Sequence, residues 1–238
     1  MCMAGASKGV NFDGTNDSLA KSSTLTGSTN SQEMAMSVWF KTNTASTNKY
    51  IFSSNAVGNP YVSLYINASD VIVMLLRNSG GTAVVQFTGT TNVVDNAWHN
   101  LLISIDTSDT AKRHCYLDGS SESGTWSPYT ASSVDWTQSA FYIGRYSDAP
   151  ASFKFDGGLG ELWLDEGSGE YIDFSSSANR LKFRNAAGRP EDLGSDGSTP
   201  TGASPLIYLS GTPADWYTNK GTGGGFTLTG QLTKSEGL

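Results

Sequence analysis

Residues 160–166 read GELWLDE, and the carboxylates of Glu161 and Asp165 are the groups whose type and spacing most suggest chemistry. Two carboxyl groups flanking a sugar can cleave a glycosidic bond, and a retaining mechanism needs them about 5–5.5 Å apart. On a regular strand, Cα atoms four residues apart stand about 13 Å apart, so this pair converges only if the strand bends. The alternative asks less: Leu162 and Leu164 point into a core while Glu161, Trp163 and Asp165 occupy the opposite face. We adopt this second reading, with no catalytic residues assigned.

Other chemical signals are weaker. GASKG at 5–9 fits Gly-x-Ser-x-Gly, but a nucleophile elbow needs a buried strand before it and a helix after it, and this match precedes a strand at the chain start. His99 and His114 fall inside strand patterns and are expected to be hydrogen-bonded framework residues. Cys2 and Cys115 have neither metal-ligand spacing nor the density of a disulfide scaffold, and Cys115 is expected to be a free buried thiol.

A binding surface is a different matter. The stretch SESGTWSPYTASSVDW at 121–136 places Trp126, Tyr129 and Trp136 beside Glu122 and Asp135 in what reads as a polar loop. Aromatic faces next to carboxylates suit a glycan, but they also suit rim packing or a contact between subunits. Tyr146, the last residue of FYIGRY, and Asp148, in the loop that follows, join this candidate surface on the same argument.

The elements that must position these groups are strands. From Lys8 to Glu166 apolar residues recur at every second place in short runs, among them KYIFSS (49–54), YVSLYIN (61–67), DVIVMLLRN (70–78), TAVVQFTG (82–89) and WHNLLISID (98–106). Turn signals such as FDG, NSGG and LDGS separate them, a succession that favours two packed antiparallel sheets. SSSANRLKFRNAAG (175–188) is the one credible helix, opened by a Ser N-cap candidate and closed by Gly188 and Pro190. Beyond a loop at 191–205, LIYLSG (206–211) and GFTLTGQL (225–232) regain the strand pattern and are expected to pack back on the sandwich.

Composition agrees, with 37% hydrophobic and 11% aromatic residues against 16% charged ones. A net charge of −7 without a basic stripe argues against a nucleic-acid partner. The N-terminal residues show no apolar export segment, and nothing later is apolar enough to span a bilayer, so neither signal nor anchor is expected.

Four pieces in order, VNFDGTNDSL (10–19), MSVWFKT (36–42), NAWHNLLISIDTSDTAKRHCYLDG (96–119) and FYIGRY with FDGGLGELWL (141–146 and 155–164), resemble the laminin-G-like branch of the concanavalin A-like lectin and glucanase superfamily. The resemblance implies an all-β, two-sheet antiparallel jelly-roll sandwich. Glucanases of that superfamily carry a Glu-x-Asp-x-Glu strand motif; here its positions hold Glu161, Trp163 and Asp165, so the central Asp is missing. The resemblance also makes calcium a candidate ion, for which Asp13, Asn16 and Asp17 offer clustered oxygens, although FDG followed by TND is ordinary turn chemistry too. No other cofactor is expected. The final third, from NRLKFRNAAG to GGGFTLTGQL, resembles the C-terminal segment of laminin-G-like proteins of bacteriophage virions.

Together these readings predict one laminin-G-like domain over 1–238, with the main sandwich at 1–168 and a short helix, loop and returning strands at 169–238. The expected role is a non-enzymatic protein of the virion surface, on capsid or tail, with other virion proteins, cell-surface glycans and further copies of itself as partners. A glycoside hydrolase using Glu161 and Asp165, and a cement protein without a glycan site, are the competing expectations.

Overall fold

The computed structural model describes residues 9–54, 61–146 and 153–238. Its strands in chain order are β1 (Gly9–Asp13), β2 (Ser18–Lys21), β3 (Glu33–Lys41), β4 (Lys49–Ser54), β5 (Val62–Ile66), β6 (Ile72–Arg77), β7 (Ala83–Gly89) and β8 (His99–Asp106), followed by β9 (Arg113–Leu117), β10 (Ser120–Ser121), β11 (Gly124–Tyr129), β12 (Phe141–Ile143), β13 (Asp156–Glu166), β14 (Ile207–Leu209), β15 (Thr227–Thr229) and β16 (Thr233–Lys234). One sheet runs β10-β9-β8-β3-β13-β1-β16 with β14 also on β13; the other runs β11-β7-β6-β5-β4-β12-β2-β15. All pairings are antiparallel, as the alternating pattern predicts.

Alternation decides which face each residue takes. Met34, Met36, Val38 and Phe40 of β3, Leu101, Ile103 and Ile105 of β8, and Leu64, Met74 and Phe87 from the facing sheet meet in the main core. The tail completes it. Its strand β14 pairs with the C-terminal half of β13 (Leu162↔Leu209, Leu164↔Ile207), β15 pairs with β2, and β16 pairs with β1. Leu206, Ile207, Leu209, Trp216, Phe226 and Leu232 are buried in the same core as the sandwich residues.

The other face of the β3–β13 sheet is covered as well. A second apolar cluster gathers Ala35, Leu102, Trp163 and Tyr208 from that face under Phe174, Phe183 and Leu193 from the segment after β13. The chain therefore builds a third layer on the sandwich, an arrangement that burial of Phe174 and Phe183 requires once no sheet position is left for them. Within that layer the expected helix shrinks to α1 (Ser177–Arg180), and Ser176 makes no capping side-chain bond. Phe183 belongs to the cluster just described, whereas Leu181 is 47% exposed.

The segment at 121–136 differs from expectation. It is not a loop throughout: Gly124–Tyr129 is an edge strand on β7, with register shifting between Trp126 and Tyr129 around Pro128. Proline has no N–H to give a ladder, which is why the pairing breaks there and why such a strand suits an edge.

Candidate functional site

Strand β13 carries the carboxylates singled out by sequence, and its geometry comes from a local irregularity. Pairing with β3 runs Gly160↔Trp39 and then Trp163↔Ser37, so Glu161 and Leu162 together stand opposite one residue, Val38. Glu161 adopts φ +42°, a left-handed conformation uncommon for a residue with a side chain. This bulge resets the alternation. Leu159 and Leu162 both enter the main core, Leu164 follows, and Trp163 enters the second cluster, where its Nε1 donates to Gly197 O at 2.9 Å.

Glu161 is 1% exposed. Its Oε2 accepts a hydrogen bond from the Tyr208 hydroxyl at 2.7 Å and its Oε1 one from the Ser210 hydroxyl at 2.8 Å. Burial, reinforced by the Glu161 charge, pushes the Tyr208 phenol well above its ordinary pKa. Held this way, the carboxylate is closed off from solvent and ties the segment at 207–210 to β13.

Asp165 and Glu166 sit beyond this clasp. Asp165 Oδ1 accepts the N–H groups of Leu206 (3.2 Å) and Glu166 (3.1 Å), and Glu166 Oε1 accepts that of Thr29 at 3.0 Å. Glu166 Oε2 is buried without a hydrogen-bond partner among the described residues. Burial is the chief force raising Asp165 to about 7, with the Glu170 charge adding to it, and burial likewise raises Glu166 to about 7. Raised carboxyl groups do occur in acid catalysis, but these two are 7% and 6% exposed and bond to the backbone of the tail and of the loop before β3.

The structure places the residues nominated as a contact surface in different settings. Glu122 accepts the amides of Thr90 and Thr91 and the Thr91 hydroxyl, pinning the turn after β7. Trp126 is half-buried with its ring 4.6 Å from that of Phe87, and Tyr129 donates its hydroxyl to Asp106 O and Lys112 O. Trp136 is fully buried in the main core and Asp135 is buried, accepting the Thr137 amide and hydroxyl, so these two are corrected from surface to framework. Val134 and Trp136 are core residues, so the end of the stretch at 134–136 is held inside, whereas Gly124, Thr125 and Ser127 are exposed. Tyr146 lies across the sheet, its ring 4.9 Å from Tyr50, which stacks on Tyr65 at 4.6 Å. Asp148 falls outside the described residues, as do Cys2 and most of GASKG.

The residues proposed for calcium build a turn. Asp13 Oδ1 accepts the amides of Thr15, Asn16 and Asp17, while Asp17 accepts the amides of Asp13 and Gln231. Burial opposes ionisation of Asp13, but those amides outweigh it and hold its carboxyl below the usual range. Gly230 must be glycine here, since at φ +85° an added Cβ would lie 2.2 Å from Asp17 Oδ1. Among the described residues no group of three or more His, Cys, Asp or Glu side chains is placed to hold a metal ion. An oxygen that already receives three amides is poorly disposed to ligate a cation, and the cluster fits calcium badly.

His99 bridges two carboxylates, with Nδ1 at 2.7 Å from Asp118 and Nε2 at 3.0 Å from Asp95. Burial disfavours its charge, yet Asp118 and Asp95 together raise its pKa. His114 lies 2.6 Å from the Tyr171 hydroxyl, and burial lowers its pKa against the pull of Asp173. Cys115 is a buried thiol with no disulfide partner among the described residues.

Among the described residues there are also open, polar depressions to which the sequence did not point. In the third layer, a depression of about 320 Å3 is lined by residues 169–173 together with Asn179, Lys182 and Pro200, Thr201 and Ala203. Tyr171, Asp173 and Asn179 come from one stretch and Thr201 from a loop some twenty residues later, so no spacing in the chain announces the group.

The residues 13–166 match the family model of the concanavalin A-like lectin/glucanases superfamily, and the chain belongs to that superfamily. Among solved structures it is similar to a candidate carbohydrate-binding protein of Bacteroides ovatus (17% identity, TM-score 0.64), covering 96% of this chain and 59% of that one. It is also similar to the heptameric SAP-like pentraxin of Limulus polyphemus (12%, TM-score 0.58; 99% and 98%) and to mouse laminin α1 domains LG4-5 (14%, TM-score 0.50; 74% and 46%). At these identities the likeness is one of fold. The comparison with curated proteins gave no match.

Proposed function

We propose that this chain is a non-enzymatic, carbohydrate-binding sandwich displayed on the surface of a bacteriophage particle, where it decorates capsid or tail and attaches the particle to cell-surface glycans. The observation that carries the non-enzymatic part is the Glu161 clasp. The strand position that would serve catalysis is closed over by Tyr208 and Ser210 of the tail, and the nearby Asp165 is spent on Leu206 and Glu166. A fold shared with a candidate carbohydrate-binding protein supports the binding part, and the resemblance of the last third to phage virion proteins supports the setting. Many copies on one particle would turn weak single-site binding into firm attachment.

The test is a glycan array probed with the whole chain, run beside a reducing-sugar release assay. Binding without release is the expected result. Release that disappears in Glu161→Gln would restore the hydrolase. Co-sedimentation with phage particles and silence on the array would replace adhesion by a purely cementing role.

A further inference from the structure

We propose that the depression in the third layer is a binding site for a neutral, hydroxyl-rich saccharide, an inference that rests on the glycan-binding reading and gives it a place. The lining mixes hydrogen-bond acceptors (Glu170, Asp173), donors (Lys182) and groups that do both (Tyr171, Asn179, Thr201), as a ring of hydroxyl groups requires. Its volume of about 320 Å3 lies at the small end of ligand sites. Apolar surface is limited to Ile172, Pro200 and Ala203, too little to anchor a hydrophobic peptide or lipid chain. Charge narrows the class further. The carboxylates of Glu170 and Asp173 outnumber the Lys182 ammonium, so a sialylated or sulfated glycan would meet repulsion.

The walls are braced, although their backbone is irregular. Asn179 Nδ2 donates to Asp173 O, Arg180 donates to Phe174 O and Ser175 O, and the Tyr171 hydroxyl meets His114 while Lys112 lies over its ring. Opposite, Asp196 accepts the hydroxyls of Ser198 and Ser204, and the Thr201 hydroxyl donates to Ala203 O. Phe174 and Phe183 anchor the floor in the second apolar cluster. Such bracing reduces the ordering cost that a loop site would charge to its ligand. Every lining residue lies beyond position 166, outside the part that matches the family model.

The experiment screens the whole chain against cellotriose, maltotriose, chitotriose, sialyllactose and sulfated lactose, then titrates the best binder calorimetrically into the parent, Lys182→Ala and Ala203→Trp. Lys182 and Ala203 are exposed, so both variants should keep the parent melting temperature. The expected result is a neutral binder whose Kd weakens about fivefold in Lys182→Ala, the worth of one hydrogen bond, and at least about tenfold in Ala203→Trp, whose ring fills the depression. A saccharide bound equally by all three proteins would put glycan binding elsewhere and sink this placement alone. Binding confined to the sialylated or sulfated probe would overturn the ligand class. No binding of any probe would overturn both this inference and the glycan-binding reading.

Discussion

Glu161 and the pair Asp165–Glu166 lie on one strand, all nearly sealed from solvent, yet their surroundings are opposite in kind. Glu161 is met by two hydroxyl donors, Tyr208 of β14 and Ser210 just after it. Asp165 and Glu166 receive a few backbone amides, face one another and Glu170, and leave Glu166 Oε2 without a hydrogen-bond partner among the described residues. A buried carboxylate with donors is a structural clasp; a buried carboxylate among carboxylates is a strain that protonation relieves. Burial of an acidic residue is therefore no mark of a catalytic site until its partners are counted.

The comparison can be broken most severely from the tail side. Deleting residues 204–238 removes the Tyr208 and Ser210 donors together with Leu206, Ile207, Trp216 and Phe226 from the core, each apolar side chain worth roughly 1.5–3 kcal/mol on burial. The truncated chain should be insoluble or melt far below the parent; equal melting temperatures would show that the clasp holds nothing. Next in size, Leu162→Ala or Leu164→Ala should cost about 2–5 kcal/mol in a urea melt through the cavity opened in the main core. A mild Leu162→Ala would mean that the bulge does not lock the strand's faces.

Removing the carboxylate itself comes third. Glu161→Ala strands two buried hydroxyl groups and should cost about 2–3 kcal/mol, whereas Glu161→Gln, which can still accept, should cost about 1 kcal/mol or less. Equal losses would argue that charge, not hydrogen bonding, makes the clasp.

At the other end of the strand the sign reverses. Asp165 and Glu166 have folded pKa values raised to about 7 from 3.8 and 4.5, so the stability they contribute is fully present below the lower values and is lost as pH rises through about 7. The parent should weaken between pH 5 and pH 8, and Glu166→Gln should gain about 1–3 kcal/mol at pH 8 while changing little at pH 4. A variant destabilised at pH 8 would mean that the Glu166 charge is paired after all.

The smallest effect belongs to His99, whose raised pKa gives a slope of the same sign above its ordinary 6.5. His114, lowered from the same value, works in the opposite direction at lower pH. His99→Gln should flatten the remaining dependence above pH 6.5, read from urea midpoints. An unchanged slope would assign the whole dependence to the carboxylates.

The period-two pattern was enough to place β4 at Lys49–Ser54 with both ends right, and to send Leu162 and Leu164 inward, because alternation is a local property of a half-buried strand. It also implied two antiparallel sheets, and the strand-like runs at 206–211 and 225–232 do pair with them. Local pattern failed where the decision was not local. Trp136 looked like a loop aromatic on display, but its burial depends on which sheet lies opposite. Glu161 has the same composition around it whether it is a catalyst or a clasp. Its partners are Tyr208 and Ser210, 47 and 49 residues further on, whose hydroxyls reach it only once β14 pairs with β13. The polar depression is likewise made by groups brought together when Phe174 and Phe183 fold onto Trp163. The sequence determined which residues alternate and which can hydrogen-bond; only the tertiary structure chose their partners, because a buried polar group takes its role from whichever donor or charge the packing brings against it.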